Sequence, residues 1–166
     1  MSNGLGFDDP AHADLAAEFS KEEFRLWFAY FDMEAALWQR LTKQLRRDTG
    51  LSEADFRVLV SLLNAEPEQL RSYELAARID FDRARLHRHL DRMETRGMIR
   101  RRQADDNPRG VVVELAPDGR AAIVAARPVR SRHIREAIVQ ALTPEELAAF
   151  THASEKILAN LRSLER

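Results

Sequence analysis

From Phe24 onward the apolar positions recur every three or four residues, through Phe28, Phe31, Ala35, Trp38, Leu41 and Leu45, as on one face of a helix. Trp27, Tyr30 and Leu37 widen that stripe beyond what a single neighbour covers. The start is written in Ser20-Lys21-Glu22-Glu23, where the serine hydroxyl accepts from the amide three residues on and Glu23 reaches back. Gly50 supplies a left-handed stop. A second helix opens at Ser52-Glu53-Ala54-Asp55, turns Phe56, Leu59, Val60 and Leu63 inward, and ends between Asn64 and Pro67. Ser72 is expected to cap a third, carrying Leu75, Ala76 and Ile79. After Asp80 and Phe81, Asp82 caps a fourth that runs to Gly97 with Leu86, Leu90 and Met93 inward. Two short helices joined by so tight a turn form a helix-turn-helix candidate.

Beyond Gly97 the period changes from helical to alternating. Met98 to Gln103 and Val111 to Leu115 read as two strands, and Ala104 to Gly110 between them is turn chemistry throughout, so a β-hairpin, or wing, follows the helix-turn-helix. Pro117 opens a fifth helix to about Ala141, with a bend expected near Pro128. Thr143-Pro144-Glu145-Glu146 then caps a last helix with Leu147, Phe150, Ile157, Leu158, Leu161 and Leu164 on its apolar face. The fold class expected is mainly α with a small β-wing. Residues 51–116 form a winged helix-turn-helix lobe, 20–50 and 117–166 a helical dimerisation region, and 1–19 a mobile tail with a short helix from Pro10 to Phe19.

Composition narrows the chemistry. The 166 residues include no cysteine, which excludes disulfides, thiolate metal sites and thiol redox switches. No apolar run approaches the ~20 residues of a membrane span and the first residues lack a signal-peptide pattern, so a cytoplasmic protein without membrane contact is expected. The net charge is only -1, but it is unevenly spread: Arg83 to Arg102 holds eight arginines against Asp91 and Glu94, leaving the rest of the chain acidic. Local positive charge is what a phosphate backbone responds to, since screening removes distant charges. Standing alone, such a segment also fits a solvated helix face.

Setting Leu86, Leu90 and Met93 as the interior of the fourth helix puts Ala84, Arg85, Arg88, Arg92 and Thr95 on the opposite side. A major groove admits one helix, and the arginine fork donates twice to a guanine edge, so Arg85 and Arg88 are the base-reading candidates. Ala84 allows close approach, Arg92 is placed for a phosphate, and Arg83, nearer the buried side, depends on how the helix enters the groove. His87 lies on the flank, either touching DNA or packing at the protein edge, while His89 leans inward as a satisfied histidine. The two histidines point about 200° apart on a helix, so they cannot share a metal ion, and no metal or cofactor is expected. Arg109 is expected at the wing tip, entering a minor groove or bridging to Asp105 or Asp106. His133 and His152 read as surface histidines. No nucleophile triad, phosphate-binding glycine loop or isolated carboxylate pair stands out, so an enzyme is not expected. The apolar stripes at both ends of the chain are what a two-fold helical interface requires, so a homodimer is expected, its two recognition helices meeting an inverted repeat in double-stranded DNA. The alternative is a winged-helix module that binds a protein without operator specificity.

The stretches LSEADFRVLVSLLNAE, SYELAARIDFDRARLHRHLDRMETRGMIRRR and DDNPRGVVVELAPDGRA resemble the MarR family of winged helix-turn-helix regulators, and the similarity runs from about Glu22 to Leu164. The resemblance implies a dimeric regulator, more often a repressor, with recognition-helix roles for Asp82 to Arg92 and a wing role for Arg109. It also implies release from DNA by small aromatic or phenolic ligands held between the dimerisation helices and the DNA-binding lobe. Trp27, Tyr30, Phe31 and Trp38 are the residues that could wall such a pocket, though aromatics at helical spacing more often serve a core or a dimer interface. The chain departs from the family's pattern at three places. Asn107-Pro108-Arg109 replaces Asp-Arg-Arg in the wing, Leu115-Ala116 replaces Leu-Thr before the fifth helix, and His87 stands where a small hydroxyl residue is more common.

Overall fold

A computed structural model describes residues 19–164, with the backbone alone at Pro108 and Arg109. The expected tail at 1–19 lies outside the described residues except for Phe19. The elements are α1 (Lys21–Thr49), α2 (Glu53–Leu63), β1 (Gln69–Arg71), α3 (Ser72–Ile79), α4 (Arg83–Thr95), β2 (Ile99–Ala104), β3 (Asn107–Leu115), α5 (Pro117–Ala137), a 3-10 turn (Val139–Ala141) and α6 (Pro144–Leu164). The chain divides into two compact units between Leu41 and Thr42, within α1.

The caps form as the sequence indicates. Ser20 Oγ accepts from the Glu23 amide at 3.3 Å while Glu23 accepts from the Ser20 amide at 2.8 Å. The same reciprocal pair closes at Ser52 and Asp55, and at Thr143 and Glu146. Gly50 ends α1 with φ 72°, a left-handed setting that costs other residues steric strain. In the first unit, α1 carries a run of touching rings, with Phe24 on Phe28 (4.5 Å), Trp27 on Phe31 (4.4 Å) and Tyr30 edge-on to Phe31 (5.1 Å).

The core of the second unit gathers Leu51, Val58, Leu59, Leu62, Leu75, Ile79, Leu86, Leu90, Met93, Ile99, Val113 and Ile123, all buried. Here α2 differs from its expected face: Val58, Leu59 and Leu62 are fully buried, whereas Phe56, Val60 and Leu63 are only partly so. The helix touches α3, α5 and the sheet at once, so its apolar arc is wider than one stripe and its centre cannot be read from spacing.

A three-stranded antiparallel sheet, in the order β1-β3-β2, replaces the two-stranded hairpin. β1 is three residues long, too short for an alternation to betray it, and pairs Leu70 with Val113. Because the chain is still extended through Arg71, that residue and not Ser72 is the N-cap of α3, with its amide donating to Glu74 at 2.9 Å. The wing turn is also tighter than expected. Only Asp105 and Asp106 separate β2 from β3, since Ala104 pairs with Asn107 while Gln103 pairs with Val111. Pro108, Arg109 and Gly110 therefore bulge from β3 with no opposing residues in β2. The helix α5 stops at Ala137, ahead of the expected Ala141, where the backbone tightens into the 3-10 turn.

His133, expected at the surface, is 3% exposed and lies 2.8 Å from Asp48. It falls on the inner side of α5 with Ile123, Ala126 and Arg130, a side that spacing hides because α5 has a weak apolar stripe. Arg130 is likewise buried and bridges to Glu53 at 3.0 Å. His152 is exposed, as expected.

Candidate nucleic-acid interface

The side chain of Asp82 accepts from the Arg85 amide at 2.7 Å, which satisfies a free N–H of the first turn and fixes where α4 begins. Leu86, Leu90 and Met93 are buried in the core and set the rotation of the helix about its axis. With both fixed, Arg83, Ala84, Arg85, His87, Arg88 and Arg92 all reach the surface. The structure thus brings six of the seven expected contact residues onto one helix. The side chain of the seventh, Arg109, lies outside the described residues, and its backbone sits on the β3 bulge instead of the wing tip.

Two of these arginines are braced from below. The guanidinium of Arg85 lies over the Phe81 ring at 3.9 Å. An NH2 group of Arg92 donates to His89 Nδ1 at 3.2 Å. Arg88 stands between them with its side chain at the surface. His87 is exposed and 3.7 Å from Asp91 and 3.5 Å from Arg101, so it borders the cleft beside the helix as well as the helix face.

Arg101, which sequence reading passed over, decides the electrostatics. From β2 it donates to Glu94 through its backbone amide (2.8 Å), Nε (2.8 Å) and NH2 (2.6 Å), and reaches Asp91 at 2.7 Å. The hydrogen bonds from Arg101 hold the Glu94 carboxyl below its ordinary range. Both acids of the arginine-rich segment are therefore paired with one side chain, which offsets part of their charge and also ties the wing to α4. The wing is braced a second time, because Arg71 pairs with Asp106 and Arg102 bridges Glu114 and Asp105. The two aspartates that would have been partners of Arg109 are thus held by other arginines.

Between α4, the start of α3 and the wing lies an open cleft of about 630 Å³, lined among others by Arg71, Tyr73, Arg83, His87, Arg101 and Asn107. Arg71 and Tyr73 are further surface groups that the sequence pattern did not single out. Their only signal was position at a helix start, and that signal was assigned to Ser72.

Asp55 sits under α4. Burial would raise its carboxyl, but the imidazole of His89 at 3.2 Å and hydrogen bonds from the Ser52 backbone and from Arg96 at 2.9 Å outweigh burial and hold it well below the usual carboxylate range. The four aromatic residues expected to wall a ligand pocket, Trp27, Tyr30, Phe31 and Trp38, are each 42–48% exposed along α1. Among the described residues no helix is long and apolar enough to cross a membrane.

A profile described as the MarR family matches residues 49–110, the span that holds α2 to the wing. The HTH-type transcriptional repressor YetL of Bacillus subtilis (strain 168) is 26% identical over 139 residues, covering 84% of this chain and 82% of YetL. The crystal structure of AbsC, a MarR family transcriptional regulator from Streptomyces coelicolor, matches with a TM-score of 0.78 at 25% identity, covering 87% of this chain and 97% of AbsC. Sco3205, a MarR family transcriptional regulator from the same organism solved in complex with DNA, matches with a TM-score of 0.78 at 27% identity, covering 86% of this chain and 90% of Sco3205. The profile falls on the lobe that presents the arginine face, and the structural likeness extends over most of the chain, so residues 49–110 carry the MarR family pattern and the chain shares the fold of the MarR family transcriptional regulators AbsC and Sco3205.

Proposed function

We propose that the chain is a homodimeric, sequence-specific repressor that binds an inverted-repeat operator in cytoplasmic DNA. The observation that carries this reading is the surface of α4, where Arg85, Arg88 and Arg92 project from a helix whose other side is locked in the core. Arg85 and Arg88, in the first half of the helix, read base edges in the major groove, Ala84 permits close approach, and Arg92 meets a phosphate. Arg83 and His87 flank them, and Arg109 reaches a minor groove from the wing. That Sco3205 was solved with DNA and that YetL is named a repressor supports the same assignment for this chain.

Dimerisation is supported by α6, of which no described residue is buried in the single chain although Phe150, Ile157, Leu158, Leu161 and Leu164 are apolar. Large uncovered apolar surfaces mark association sites. The half-exposed rings of α1, Trp27, Tyr30, Phe31 and Trp38, by themselves offer apolar surface of the kind that an association site, or the wall of a pocket for a small aromatic or phenolic effector, needs.

The test is a titration of the protein against DNA from upstream of its own gene and against random duplex, across a series of salt concentrations. Retained discrimination supports the reading. Equal affinity for both duplexes overturns it in favour of a winged module that binds proteins. A thermal-shift screen of aromatic acids tests the effector, with a concentration-dependent rise in Tm expected for a true ligand and a flat response overturning that part.

A further inference from the structure

We infer that the buried pair Asp55 and His89 is a positioning device for Arg92, docking one end of its guanidinium on the protein before nucleic acid arrives. This rests on the assignment of α4 as the DNA-facing helix and goes beyond it, since neither Asp55 nor His89 faces DNA. His89 is 6% exposed and lies one turn before Arg92. Its Nδ1 accepts from an NH2 group of Arg92 at 3.2 Å, and its Nε2 faces Asp55 Oδ1 at 3.2 Å, off the line of an ideal hydrogen bond.

A guanidinium offers only donors and a carboxylate only acceptors. Both neighbours therefore demand the same neutral tautomer, with the proton on Nε2 and the lone pair on Nδ1. Nothing in the shell around the ring contradicts that choice. Asp55 is itself fixed by the Ser52 cap and by Arg96, and the Phe81 ring meets His89 edge-on at 6.2 Å. The imidazole is thus a rigid acceptor placed under the one arginine assigned to a phosphate. A free arginine surrenders rotamer freedom when it meets its partner, whereas one already docked through NH2 surrenders less and keeps its remaining donors for the phosphate. His89 is a positioning residue in this scheme and touches no ligand.

Two measurements on the full chain test it. In the free protein, nitrogen-15 NMR of the imidazole is expected to show His89 protonated at Nε2 and bare at Nδ1. A proton on Nδ1 overturns the inference, whether or not any variant folds. In a double-mutant cycle with Arg92→Ala and His89→Leu, run on both upstream and random duplex, Arg92→Ala is expected to weaken all sequences alike and lower the salt slope by about 1. His89→Leu is expected to weaken binding several-fold with the slope kept, because the arginine charge remains. The double variant is expected to bind no more weakly than Arg92→Ala alone. Losses that multiply instead show His89 acting independently of Arg92 and overturn the inference while leaving DNA binding intact. Failure of the wild-type chain to discriminate between the duplexes overturns the regulatory reading separately, since the cycle is still read on random DNA.

Discussion

Among the described residues Arg88, unlike Arg85 and Arg92, has no internal brace beneath it, so in the proposed complex its fork is left for a base to orient. Replacing it by alanine is expected to cost about 1 to 3 kcal/mol of operator binding and to relax base choice at one position per half-site, as read by titrating operator variants. Asp55 acts from inside. Its carboxyl is held low by His89, Ser52 and Arg96 against the pull of burial, and that of Asp48 is held down to about 2, first by Arg47 and also by His133. A depressed folded-state pKa contributes stability that is complete above the unfolded value, about 3.9 for aspartate, and drains away as pH falls through the folded value. Thermal unfolding should therefore show Tm steady above pH 5 and falling steeply below pH 4. Asp55→Asn should lose about 1 to 3 kcal/mol at neutral pH and show a shallower acid limb, because the titrating group is gone. The apolar positions of α4 and the identity of its surface arginines were legible from a 3.6-residue period. The distant partners of Asp55, His89 and Arg96, were not, because Arg96 lies 41 positions away in the chain.

Elements meet closely at the base of the wing, where α5 begins against the turn leading into β2. A Cβ built on Gly119 would stand 1.9 Å from the Met98 carbonyl oxygen, which is backbone and cannot swing aside. Gly119→Ala gains up to about 1 kcal/mol of helix propensity but is expected to lose on the order of 3 kcal/mol through the clash, a net destabilisation visible as an earlier midpoint in urea. A mid-chain glycine in a helix thus reads as a local weakness and is in fact a docking point. Helix starts were recoverable because a cap is encoded within four consecutive residues, as at Ser20, Ser52, Asp82 and Thr143. β1 was not, because its three residues are extended only through pairing with β3, more than 40 positions later. The same pairing moved the cap of α3 from Ser72 to Arg71, and the register of β2 on β3 moved Arg109 from the turn into a bulge.

For the whole molecule, the uncovered apolar face of α6 sets the expectation. Leu161→Asp places a charge among Phe150, Ile157, Leu158 and Leu164 and is expected to weaken self-association by two orders of magnitude or roughly 3 kcal/mol. Sedimentation velocity should show a dimer for the wild-type chain and a concentration-dependent shift to monomer for the variant. Unchanged sedimentation would place the interface elsewhere. Operator binding should fall with the dimer, because one recognition helix alone forfeits the second half-site.

What the sequence determined by itself is whatever is encoded locally: the helices, every helix cap but that of α3, the glycine stop at Gly50, and the concentration of arginine between Arg83 and Arg102. On α4 periodicity fixes which side is apolar, and hence which side is charged, whereas on α2 and α5 the buried side depends on the neighbours. Only the tertiary structure decided which of those charges remain available. Arg101 is spent on Glu94 and Asp91, Arg71 and Arg102 on the wing, and His133 is drawn inside to meet Asp48, whereas Arg85, Arg88 and Arg92 stay at the surface. The reason is physical: ion pairs and strand pairing depend on distance in space, and folding brings together groups that the chain keeps far apart.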